Sequence, residues 1–207
     1  VVSAGGTREP MDPVRYLTNH STGKMGYAVA RAAAMRGADV TLIHGPTALP
    51  PVKFTEDVPI TTAQDMYEAV TSRFADMDIL VMAAAVADYR PATVADDKIK
   101  KKDGDLSIPV ERTADILGTI GPRKTKQFLC GFSMETRDMV ENSAAKLKKK
   151  NLDMVVANNL KVSGAGFGVD TNVVTFITPD GTRELPLMSK ADVADAILDE
   201  ILKRRGH

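Results

Sequence analysis

The chain has 207 residues, with 27 basic and 27 acidic side chains, so its formal charge is zero. That length allows one sizeable α/β domain with a buried core, and the balanced charge excludes a general nucleic-acid binder. A single cysteine excludes a disulfide framework. Cys130 lies in the apolar run FLCGF and reads as a packed core thiol. His20, His44 and His207 are far apart and form no metal-ligand spacing. No apolar run reaches membrane-spanning length and the N-terminus has no signal-like pattern. A soluble cytoplasmic enzyme is expected. Val1 already reads as strand, so the chain is expected to be either clipped at its start or a domain cut from a longer polypeptide.

In chain order, Val1–Ser3 reads as a strand that runs into Gly5-Gly6. A polar loop with Asn19, His20 and Ser21 follows. Ser21-Thr22-Gly23-Lys24 then opens a small-residue helix over Lys24–Arg36, ended by Gly37. Glycine lets a backbone approach a ligand closely, and a helix N-terminus favours an anion. This strand–loop–helix is therefore an anion site of the kind that nucleotide- or phosphate-handling proteins use. Asp39–His44 reads as the next strand, stopped by Gly45-Pro46. Thr62 caps a helix over Ala63–Phe74, with Met66, Val70 and Phe74 on one face. Asp78–Ala85 is a continuous apolar run, as a buried parallel strand requires. Phe128–Phe132 and Asp153–Ala157 read likewise, with a helix over Asp138–Lys150 between them. The repeated β-α-β order predicts an α/β fold, a mostly parallel sheet covered on both faces, within one domain over residues 1–207. Residues 91–112 are polar and Lys-rich, too long for an ordinary connection, and read as a flap or extended hairpin. Asn172–Ile177 and Arg183–Leu187 flank Pro179-Asp180-Gly181, a C-terminal hairpin signal. A last helix covers about Lys190–Lys203.

Several motifs fail. A P-loop needs a hydroxyl after its lysine and a glycine five positions before its Gly-Lys glycine; here Met25 follows Lys24 and position 18 is Thr. The first turn lacks the spacing of a dinucleotide fingerprint. The late run from Gly164 to Gly168 has Val169 where the third glycine belongs, and the second strand ends in His44-Gly45 without an acidic residue for a ribose. The Tyr-x-x-x-Lys pair of short-chain dehydrogenases is missing too. An NAD(P)-dependent oxidoreductase on a Rossmann-like fold is thus the second choice.

The segments SAGGTREPMDPVRYLTNHSTGKMG, AAAVADYRPATVADDKIKK and GFSMET resemble the phosphopantothenoylcysteine synthetase family, and the resemblance covers nearly the whole chain. It implies a ligase of coenzyme A biosynthesis that joins 4′-phosphopantothenate to L-cysteine. In the bacterial branch CTP drives the reaction through an acyl-cytidylate, with release of pyrophosphate and with Mg²⁺ on the nucleotide. It also implies a Rossmann-like three-layer α/β fold in a homodimer, and a flavin-dependent decarboxylase fused ahead of this part. A triphosphate site needs cations because charge builds there. The resemblance makes Asn19 catalytic and places Ser21 near the phosphates, where it also reads as a helix N-cap. Ala83, Ala84, Ala85 and Asp88, at the end of the third strand, match nucleotide contacts. Gly6, Asn19, Ala84 and Ala85 match substrate contacts. Lys98 matches the family's essential flap lysine, whereas Lys101 and Lys102 read as solvated charge. Phe132 matches an aromatic beside the base. Lys146 and Lys150, four apart on one helical face, match nucleotide-binding lysines, and Lys148 and Lys149 point elsewhere. Thr113-Ala114-Asp115-Ile116 stands where the family usually has a Pro before the Asp. The sequence names no metal ligands.

Overall fold

A computed structural model describes residues 1–101, 105–135, 138–159 and 166–206. Lys102, Thr136, Gly164, Ala165 and His207, all used above, lie outside these residues.

The buried strand β1 (Val2–Ala4) leads into a hairpin of β2 (Arg8–Pro10) and β3 (Tyr16–Thr18), which stands apart from the main sheet. Helix α1 (Lys24–Met35) returns the chain to β4 (Val40–His44) and β5 (Thr55–Pro59), both parallel to β1 on one side. Helix α2 (Ala63–Arg73) then leads to β6 (Ile79–Met82), which pairs with the other side of β1. Strands β7 (Tyr89–Pro91) and β8 (Val110–Arg112) pair antiparallel, so the polar segment is an extended arm whose two ends are zipped together. The short helix α3 (Ile116–Ile120) follows. Strand β9 (Phe128–Glu135), helix α4 (Met139–Lys149) and strand β10 (Met154–Asn159) extend the parallel run. Strands β11 (Thr171–Asn172), β12 (Val174–Thr178), β13 (Gly181–Glu184) and β14 (Met188–Ser189) precede helix α5 (Lys190–Arg205). The sheet order is β13-β12-β10-β9-β6-β1-β4-β5, with β12 and β13 antiparallel at one edge.

Strand side chains alternate between faces, and the two cores show it. Leu42 and Val156 join α1 and α5 through Val29, Val193 and Ile197. Their neighbours Ile43 and Val155 join α2, α3 and α4 through Met66, Ile120 and Leu147. The expected three-layer α/β architecture is therefore present. Thr62 caps α2 in a full capping box, accepting from the Asp65 amide at 3.1 Å while Asp65 Oδ2 accepts from the Thr62 amide at 2.8 Å. Burial pushes the Cys130 thiol up, as a core thiol requires.

Four differences from the sequence reading have physical causes. The third strand stops at Met82 because Ala83–Ala85 swing toward β1: Ser3 Oγ accepts from the Ala84 amide and Gly5 carbonyl from the Ala85 amide. Strand β5 carries no apolar run, since an edge strand packs on one side only. Helix α3 is too short for its periodicity to register. Helix α1 is capped by Gly23, at φ +83°, with no side-chain hydrogen bond, so Ser21 is not its cap; Ser21 Oγ accepts only a 3.4 Å bond from the Gly23 amide.

Candidate active site

In the sheet order, the chain turns from one direction of growth to the other between β1 and β6. Open α/β sheets bind ligands at such a switch point, outside the carboxyl ends of the strands. A cleft of ≈ 690 Å³ lies there, over the ends of β6, β9 and β10 and the amino end of α1. Gly26 brings α1 down onto β1. A Cβ at Gly26 would come within 2.6 Å of both Ala4 Cβ and Ser3 O. The amino end of α1, Gly23–Gly26, which no side chain caps, consequently forms part of the cleft wall.

Asn19, Ser21, Ala83, Ala84, Ala85, Asp88, Phe132, Lys146 and Lys150 all line this cleft. The Asn19 Nδ2 donates to the Ala85 carbonyl at 3.0 Å, which fixes the amide beside the turn after β6. Gly6 lies one layer deeper. It bridges Ala85, and a Cβ there would sit 3.2 Å from the Asn19 carbonyl oxygen, so it supports Asn19 from behind rather than lining the cleft. Lys146 Nζ donates to the Phe132 carbonyl at 2.6 Å. Lys150 Nζ pairs with Asp115 Oδ1 at 2.8 Å, and Asp115 also caps α3 by accepting from the Gly118 amide at 2.9 Å. Burial opposes ionisation of Asp115, but Lys150, the Gly118 amide and Lys146 outweigh it and hold the carboxyl below its ordinary range. Lys148 and Lys149 are exposed and outside the cleft lining, as their helical phase requires.

Lys98 is exposed and does not line its own chain's cleft. The cleft wall has members that the sequence reading passed over. Residues 166–170 cross the amino end of α1 and are fastened there by their carbonyls. Lys190 Nζ donates to Gly166 O at 2.9 Å, Phe167 O at 3.1 Å and Val169 O at 2.6 Å. Thr22 Oγ1 donates to Phe167 O at 2.7 Å, and Lys24 Nζ to Gly168 O at 2.9 Å and Asp170 Oδ1 at 2.8 Å. Burial and the nearby Lys24 charge lower the Lys190 pKa, against the opposing pull of Asp170. Asn158 and Asn172, joined by a 2.9 Å bond, complete the far end. The signal for this wall was the Gly166-Phe167-Gly168 run, read above only as a failed dinucleotide fingerprint.

Among the described residues no group of three or more His, Cys, Asp or Glu is arranged to hold a metal ion. The cleft offers two carboxylates, Asp88 and Asp115, and several lysines. Mg²⁺ commonly binds through one or two carboxylates plus substrate phosphates. The residues thus fit a Mg²⁺ that arrives on a triphosphate, with Asp88 the carboxylate at hand. No helix among the described residues is long and apolar enough to cross a membrane.

The family model described as "DNA/pantothenate metabolism flavoprotein C-terminal domain" matches residues 1–204. Over 203 residues the chain is 52% identical to the coenzyme A biosynthesis bifunctional protein CoaBC of Bacillus subtilis, covering 97% of this chain and 50% of that protein. Over 208 residues it is 43% identical to the CoaBC of Escherichia coli K12, covering 99% of this chain and 51% of that protein. The chain therefore spans about half the length of these curated relatives. A crystal structure of the C-terminal domain of CoaBC matches with a TM-score of 0.83 at 46% identity, covering 98% of this chain and 94% of that one. With a family match over nearly its whole length and these identities, the chain belongs to the DNA/pantothenate metabolism flavoprotein C-terminal domain family, to which the C-terminal part of CoaBC is similar.

Proposed function

We propose that this chain is a phosphopantothenate–cysteine ligase that uses CTP, acting in the cytoplasm in coenzyme A biosynthesis. The observation that carries the reading is one cleft at the switch point that joins Asn19, the amino end of α1 and the lysines Lys146 and Lys150. A carboxylate does not condense with an amine directly, because an oxide ion is too poor a leaving group. In the proposed first step the carboxylate of 4′-phosphopantothenate attacks the α-phosphorus of CTP. An acyl–phosphate bond forms, the α–β bridging bond breaks, and pyrophosphate leaves. In the second step the cysteine amine attacks the acyl carbon. The amide forms, the amine loses a proton, and CMP leaves.

The residues divide this work by position. Asn19 spends one N–H on the Ala85 carbonyl, so the second is oriented for the acyl oxygen. A neutral amide stabilises that oxygen without itself attacking the anhydride. Ala83–Ala85, with small side chains, let backbone groups reach the nucleotide and acyl parts. Lys146 and Lys150 supply positive charge beside Phe132 and Asp115. Mg²⁺, when bound with the nucleotide, supplies further neutralisation of the triphosphate. Preference for CTP over ATP is supported by the family resemblance.

The position of Lys98 outside its own cleft supports a homodimer in which this lysine reaches the neighbouring copy's site. Exposed apolar side chains cluster on the two elements near it: Val14, Tyr16 and Leu17 on the hairpin, and Tyr89, Val94 and Val110 on the arm. Such a patch is the mark of an association surface. A flavin-dependent decarboxylase part ahead of this one is proposed from the bifunctional relatives, which are twice as long.

The deciding experiment measures pyrophosphate release from CTP with and without 4′-phosphopantothenate. Release that depends on the acid, followed by its amide with cysteine, is the expected result. Release that ignores the acid, or none at all, overturns the reading. Equal kcat/KM for CTP and ATP overturns the nucleotide preference alone.

A further inference from the structure

Asp12 sits in the turn of the β2–β3 hairpin with its side chain fully buried. Its Oδ1 accepts from the amides of Val14 and Arg15, both at 2.8 Å. That is an ordinary Asx turn, which an exposed Asp or Asn makes equally well. The turn therefore explains one carboxylate oxygen and leaves the burial and the second oxygen unexplained. A buried carboxylate is costly to maintain unless its partners are good. Oδ2 accepts from Arg15 Nε at 3.0 Å and Nη2 at 2.6 Å, and also from the backbone amide of Ile99 at 3.1 Å. Arg15 Nη2 donates in turn to the Ile99 carbonyl at 2.9 Å. Both backbone groups of Ile99 are thus claimed by the hairpin turn. Four residues earlier, the Ala95 amide donates to the Met11 carbonyl at 3.0 Å. Lys98 lies between these two ties and is itself exposed. The other strand of the hairpin, β3, runs straight into Asn19.

We infer that Asp12 is a positioning residue for Lys98: through Oδ2 it fastens the arm's lysine segment to the hairpin that carries Asn19. The two regions then move as one piece, and the lysine is presented from a fixed root rather than from a loose loop. This rests on the reading of Lys98 given above.

The chemistry of the carboxylate supplies a selective variant. In Asp12→Asn the amide oxygen still serves the Asx turn. The amide nitrogen replaces Oδ2 and sets a donor against the Arg15 and Ile99 donors. The turn survives while the arm is released. The full-length dimer is used throughout. Hydrogen exchange followed by mass spectrometry is read over peptides covering 92–101, beside steady-state pyrophosphate release. In Asp12→Asn, exchange over this stretch is expected to rise about tenfold, since local opening no longer breaks a tie. Turnover is expected to fall about tenfold to a hundredfold through misplacement of Lys98. In a Lys98→Gln background the same change is expected to cost almost nothing further, because both act through one group. Unchanged exchange, or a loss that adds in full to that of Lys98→Gln, overturns the inference. Wild-type turnover in Lys98→Gln alone overturns instead the reading of Lys98, and the exchange result still decides the tie. Should Asp12→Asn lack a cooperative unfolding transition, Asp12→Ser keeps a side-chain oxygen for the turn and removes Oδ2 without setting a donor against the arm. The same two measurements then apply with the same outcomes.

Discussion

Asn19 illustrates how one side chain is made ready by its neighbours. Its amide is exposed, yet the Ala85 carbonyl at 3.0 Å holds it, and Gly6, lacking a Cβ, leaves room for its backbone carbonyl. A preorganised donor aimed at a developing charge is worth on the order of 3 kcal/mol, or about a hundredfold in rate. Asn19→Ala is therefore expected to lower kcat by about that factor at saturating substrates, with the unfolding midpoint nearly unchanged because no core packing is lost. Steady-state kinetics and thermal unfolding check this; wild-type turnover would remove Asn19 from the chemistry. Lys146 and Lys150 occupy one helical face, but their surroundings differ. Lys146 donates to the Phe132 carbonyl and Lys150 pairs directly with Asp115, while the charges of both lysines favour the ionised Asp115.

At the scale of elements, the amino end of α1 is set by close packing. Gly26→Ala would gain about 1 kcal/mol in helix propensity. The added Cβ, though, would stand 2.6 Å from Ser3 O and Ala4 Cβ, on a central strand that cannot retreat. Overpacking of this sort costs about 1–3 kcal/mol or more, so the net effect is a loss. A lower denaturant midpoint with an unchanged m-value is the expected observation. The segment 166–170 is governed by Lys190 in the same way. Lys190→Met keeps the side-chain volume but leaves the Gly166 and Val169 carbonyls without this donor, while Phe167 O keeps Thr22. Unmade bonds of this kind cost on the order of 1–3 kcal/mol. With the wall released, KM is expected to rise about tenfold, equivalent to about 1.4 kcal/mol of binding, while kcat falls less. An unchanged KM would show that the wall serves stability alone.

For the molecule as a whole, the proposed dimer makes a sharp demand. A symmetric pair with Lys98 acting across the interface has two equivalent sites, each built from both chains. Mixing inactive Lys98→Gln with inactive Asn19→Ala protein should then restore activity, because one site of each mixed dimer carries both native residues. Random exchange makes half of the dimers mixed, so about one quarter of the native site count returns under this symmetry. No recovery after verified subunit exchange would assign Lys98 to its own chain, and a monomer by light scattering would reject the dimer itself. The Lys101→Gln variant should behave as wild type, since that residue is exposed and reads as solvated charge.

The sequence by itself determined the layered α/β fold, because buried parallel strands must be apolar on both faces and covering helices must repeat their apolar residues every turn. It also determined which long motifs surround the cleft, from Asn19 through Ala83–Ala85 to Lys146 and Lys150. Both kinds of signal are local: a run, a period or a spacing. Only the tertiary structure decided that Lys98 stands outside its own cleft, that Lys190 holds residues 166–170 across α1, and that Asp12 reaches Ile99. These contacts join residues 20 or more positions apart through backbone carbonyls and amides. Backbone groups are the same at every residue, so they leave no mark in composition or periodicity, and the fold alone selects which of them meet.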